Sequence, residues 1–163
     1  MGIENLSKQG TQGCLAPGLH KEVIQGIGTT ERQLLPEESG SLILMDASDT
    51  ITVRLPTPVL GMTFEFQTTV TVTTADVHKI ITKTIASEFM IGGIGSFATT
   101  IAEGGDSFAA NGTTHVAATS NGSTTGGLVG QLLKFTAISA TQWAVSGHTV
   151  GTTGTMATPF ATS

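Results

Sequence analysis

Residues 51–67 read ITVRLPTPVLGMTFEFQ, and the spacing of their apolar side chains decides the fold class. Ile51, Val53 and Leu55 alternate with Thr52 and Arg54, the two-residue period of a half-buried strand. Pro56 and Pro58 stop that strand, and Gly61 marks a corner. Beyond it Phe64 and Phe66 alternate with Thr63, Glu65 and Gln67, so a second strand follows, and the β-branched run over 68–74 extends or follows it.

Outward from this pair the same vocabulary continues. Further strands are predicted over 77–85, 96–102, 113–118, 128–137, 142–147 and 155–157, punctuated by Gly93, Gly104-Gly105, Asn111-Gly112, Asn121-Gly122 and Gly126-Gly127. One helical turn or two is predicted over 86–90. These spacings predict an all-β fold, an antiparallel β-sandwich or barrel. Its core is expected to include Ile51, Val53, Leu55, Phe64, Phe66, Trp143 and Val145, with Trp143 as the anchor.

Residues 1–40 read differently. They hold Gly10, Gly13, Gly18, Gly26, Gly28 and Gly40 with Pro17 and Pro36, and no sustained period. The chain is therefore divided into an extended N-terminal arm, 1–40, and a β-domain, 41–163. The arm's Leu15, Leu19, Val23, Ile24, Ile27, Leu34 and Leu35 are too many apolar residues for a solvated tail, and are expected to lie on something apolar, either their own domain or a neighbour, and are taken as candidate partner-binding residues.

Composition narrows the function. Charged residues are 12% of the chain, against roughly a quarter in ordinary soluble domains, and the 29 threonines suit exposed strand faces. Of the 19 charged residues, three lie in 90–163: Glu103, Asp106 and Lys134. A formal charge of −5 gives no basic footprint for nucleic acid. The opening residues, with Glu4 among them, lack the apolar run of a secretory signal, and no stretch reaches the length of a spanning helix, so neither export nor a membrane is expected.

Sites for chemistry are equally sparse. His20, His78, His115 and His148 show no metal-ligand spacing, and Cys14 is single. No GxSxG elbow is present, and Gly92-Gly93-Ile94-Gly95 lacks the Lys-Ser/Thr end of a phosphate loop, so it reads as a turn or a close backbone approach. Asp46/Asp49 and Glu103/Asp106 read as solvated turns without the order of a calcium loop, and the sequons at Asn5, Asn111 and Asn121 as turns. No catalytic residue, cofactor or metal is expected.

The stretches ITVRLPTPVLGMTFEFQTTVTVT, VHKIIT and LLKFTAISATQWAVSG together resemble small virion proteins of tailed phages. That group repeats the pattern TVTLPxPxxGxxFxF, then HxIxI, then GxxLxL and WxVxG. Here it falls on Thr52, Leu55, Pro56, Pro58, Gly61, Phe64, Phe66, His78, Ile80, Leu133, Trp143, Val145 and Gly147. The resemblance implies a capsid decoration, or cement, protein on the capsid exterior, a homotrimer that binds the major capsid protein and stabilises contacts between coat subunits. The alternatives are a head-fibre or tail-fibre module whose loops near Asn111 and Asn121 meet a host glycan, and a small cell-wall-degrading hydrolase.

Overall fold

The computed structural model describes residues 21–28, 31–100, 105–152 and 154–163. Its strands are β1 (Val23–Ile24), β2 (Arg32–Gln33), β3 (Leu42–Met45), β4 (Ile51–Arg54), β5 (Thr63–Thr68), β6 (His78–Ile81), β7 (Phe89–Ala98), β8 (Gly105–Asn111), β9 (Ala117–Ser120), β10 (Leu132–Ala137), β11 (Gln142–Gly151) and β12 (Phe160–Ala161). A single 3-10 turn spans Pro36–Glu38. The strands form two facing sheets, one ordered β1-β3-β5-β10-β11-β7-β8 and the other β12-β9-β6-β4-β2. This is the expected all-β sandwich.

The sheets are mixed, where antiparallel ones were expected: five of the ten strand pairings run parallel. The reason lies in how the first half of the chain winds. From β1 to β6 each strand enters the sheet opposite its predecessor, so β1, β3 and β5 lie side by side in parallel, as do β2, β4 and β6. Parallel neighbours need a long crossover. Here each crossover is a whole strand of the other sheet, so residues 23–81 form a flattened coil. The second half closes it with the hairpins β7-β8 and β10-β11, and β10 lands antiparallel on β5.

The expected core holds at every position. Ile51, Val53, Leu55, Phe64, Phe66, Trp143 and Val145 are all buried, because alternation in β4, β5 and β11 points them to one side. Phe66 meets Phe135 edge to face at 5.3 Å, and Phe64 lies 5.9 Å from Trp143. Among the described residues the Trp143 indole N–H has no hydrogen-bond partner. That omission costs about 1–3 kcal/mol, whereas burying an indole of some 200 Å² contributes about 5 kcal/mol, so the ring stays inside.

Several local expectations are corrected. Residues 85–87 form a turn and not a helix, and β7 begins at Phe89. The 92–95 segment is no turn: it runs through β7, between β11 and β8. Gly92 sits there at φ +114°, where a Cβ would lie 2.4 Å from the Val145 carbonyl oxygen, so close backbone approach is the reason for glycine. The final strand lies at Phe160–Ala161 and not over 155–157.

The boundary at residue 40 is also corrected, because the sandwich begins before it. β1 pairs with β3 and β2 with β4, and Ile24 and Leu34 are members of the core. The described residues of 21–40 thus belong to the β-domain.

Candidate interaction surface

The coil gives the molecule two ends. Where β4 stops and β5 starts, residues 55–62 cross from one sheet to the other, and the Gly61 N–H donates to the Ala137 carbonyl at the tip of β10. Residues 34–41 cross beside them, with the Leu34 N–H on the Arg54 carbonyl and the Gly40 N–H on that of Thr63. Residues 82–88 follow: the Arg54 guanidinium donates to the carbonyls of Thr82 and Lys83, and the Phe89 N–H to that of Thr141. All these loops, with the β10-β11 hairpin, cap one end, here termed the corner end.

The corner end carries most of the exposed apolar side chains. Of nine exposed large hydrophobic side chains among the described residues, five lie on it: Leu35, Val59, Leu60, Ile85 and Ile138. Leu60 is 75% exposed, and Val59 57%. Each sits on a different capping loop except the Val59-Leu60 pair, so the chain assembles the patch from four separate segments. Scattered exposed apolar residues need no explanation, whereas five brought to one end of the sandwich make that end a candidate interaction surface.

Charge is present on this end too: Glu37 and Lys83 are exposed on the loops 34–41 and 82–88. Arg32 is paired with Glu38, Arg54 with Glu31, and Lys21 with Glu65, which also lies 3.8 Å from Lys134. The Arg54 guanidinium holds the Glu31 carboxyl below its ordinary value, chiefly through their hydrogen bond. Ion pairs fix these three cations to neighbouring elements, and Lys21, where the described chain begins, stands at the same end.

The residues expected to bind a partner divide. Leu35 is on the patch, and Val23 is exposed on the edge strand β1. Ile24 and Leu34 are buried, and Ile27 packs against the core, so these three serve the fold. Leu15 and Leu19 lie outside the described residues. Val59, Leu60, Ile85 and Ile138 were not foreseen. The one signal available was an apolar pair trapped between Pro58 and Gly61, where no strand could turn it inward.

Groups with chemical potential elsewhere are tied into the fold. His78 is buried with Nε2 2.9 Å from the Ala47 carbonyl oxygen, and burial pushes its pKa below the ordinary 6.5. His115 Nδ1 accepts the Asn111 N–H and its ring stacks on Phe160, while His148 Nε2 lies 3.0 Å from the Gly130 carbonyl oxygen. Asp46 accepts the Gly26 N–H, and Asp76 accepts the Thr50 and Thr73 hydroxyls, which hold its carboxyl below the usual range. Asn111 and Asn121 each turn their own loop, the side-chain oxygen accepting N–H groups of the next few residues. Among the described residues no three His, Cys, Asp or Glu side chains come together as a metal site, and no helix is long and apolar enough to cross a membrane. Compared with known proteins, the chain matches no family, no curated sequence and no solved structure.

Proposed function

We propose that this chain is a structural protein of a tailed-phage virion, a capsid decoration protein that seats its corner end on the major capsid protein. The virion assignment rests on the resemblance carried by residues 50–147. The observation that carries the docking is the gathering of Leu35, Val59, Leu60, Ile85 and Ile138 on one end of the sandwich. Burying these side chains on a coat surface contributes about 1.5–3 kcal/mol for each that becomes fully covered, less the cost of association. The role is mechanical: one copy seated across neighbouring coat subunits resists their separation.

Co-sedimentation with capsids that lack this chain tests the proposal. Leu60→Glu and Val59→Glu should each weaken capsid binding about tenfold or more while thermal unfolding stays unchanged, since both side chains are already in solvent. Full binding by the double variant would overturn the docking surface. Quantitative mass spectrometry of purified virions tests location separately. A copy number comparable to the coat protein is the expected result, and a few copies per particle would assign the chain to a fibre instead.

A further inference from the structure

Among the described strands, those at the sheet edges are unequal. β1, β2 and β12 are two residues each, whereas β8 runs seven residues, Gly105–Asn111, and pairs only with β7. Its register with β7 is uninterrupted from Gly105 to Asn111. Which backbone groups point outward follows from two hydrogen bonds. The Gly112 N–H donates to the Met90 carbonyl, so in the alternating ladder Ala110, Phe108 and Asp106 face β7. Asn111 accordingly turns its N–H away from β7, where His115 Nδ1 accepts it. Gly105, Ser107 and Ala109 thus present N–H and C=O groups at the open edge, and all three residues are exposed.

Natural edge strands are usually blunted by Lys, Pro, a bulge or shortness. β8 has none of these, and its single charge is Asp106. Its outward positions are the small residues Gly105, Ser107 and Ala109, and a shallow open groove of about 390 Å³ beside it is lined by Gly93, Ile94, Ser107, Phe108 and Ala109.

From this edge we infer that β8 pairs with β8 of a second copy of the chain, antiparallel about a two-fold axis at Ser107. The copy is the fitting occupant for three reasons. A heterologous pairing would need another long edge, and β1, β2 and β12 are too short to offer one. The register centred on Ser107 joins the three free positions and no others: Gly105 opposite the partner's Ala109, Ser107 opposite the partner's Ser107, and Ala109 opposite the partner's Gly105. In that register Asp106 lies opposite the partner's Phe108, so no like charges face each other. Such a pairing makes on the order of six backbone hydrogen bonds. It also closes on itself, because the two copies use up each other's edge and leave no long one for further growth.

Because residue 107 would meet its own counterpart, charge at that position gives a decisive test. Sedimentation equilibrium of the full chain should give a dimer. Ser107→Lys and Ser107→Asp should each raise the dissociation constant about tenfold or more, and an equimolar mixture of the two should restore association. Ala109→Pro, which removes an outward N–H and leaves the bonds to β7 intact, should also weaken the dimer. A monomer at all accessible concentrations, a trimer, or a dimer indifferent to these substitutions would overturn the inference. Capsids play no part in the measurement, so its failure is separate from failure of the decoration role.

Discussion

Gly147 stands in β11 at φ +125°, and a Cβ there would lie 2.2 Å from the Leu132 carbonyl oxygen of the neighbouring strand. Gly61, at φ +92°, has nothing within 4 Å of the same position. Both need left-handed backbone, but only the first also lacks space. Gly61→Ala should therefore cost about 1–2 kcal/mol, the ordinary left-handed penalty, and Gly147→Ala clearly more, since its collision is with backbone that cannot move aside. Urea unfolding of the two variants checks the ranking. His78 gives the residue scale a pH dependence. Burial depresses its pKa, opposed by the Ala47 carbonyl, the Asp49 backbone and the Asp46 and Asp76 carboxylates. The unfolded chain then binds the proton more readily than the folded one. The stability this represents is fully present above about pH 6.5 and is lost as pH falls through the lower folded pKa. Thermal unfolding temperatures should drop over that interval, and His78→Gln should flatten this part of the drop.

Among the elements, β1 and β2 carry the clearest consequence, because they tie residues 21–40 to opposite sheets and bring Ile24 and Leu34 into the core. Deleting 1–40 should abolish cooperative unfolding, since it strips an edge from both sheets and opens cavities costing about 2–5 kcal/mol for each lost Leu or Ile side chain. Far-ultraviolet circular dichroism and urea unfolding of the truncated chain check it. The same elements mark where sequence reading stops. Strands β4, β5, β10 and β11 were legible because apolar residues alternate over several positions, and every core residue expected in β4, β5 and β11 is buried. Two-residue strands such as β1 and β2 have no period to detect. β7 was half hidden because Gly92, Gly93 and Gly95 look like punctuation, although Gly92 is there to let Val145 approach. Nor does alternation reveal strand direction, since a strand half-buried in a coil and one in a hairpin carry the same pattern.

For the molecule as a whole, separation of surfaces matters most. The apolar end and the open β8 edge lie on different sides of the sandwich, one made by loops and the other by backbone. The apolar patch could not be read from sequence because its members are far apart in the chain and meet only when residues 34–41, 55–62, 82–88 and 138–141 cap the same end. The β8 edge was equally hidden, since only the pairing of all the other strands leaves it outermost.

The winding that sends alternate strands back and forth has one more result. β12 runs antiparallel to β9, with Ala161 beside Ala117, so Ser163 emerges at the corner end, where Lys21 also begins. A passenger domain joined at Ser163 would be held against the surface proposed to seat on the coat, and would compete with that seating. Loops at the opposite pole, such as residues 69–77 between β5 and β6, face away from it, and they are where a displayed peptide should be grafted if the particle is to be used as a scaffold.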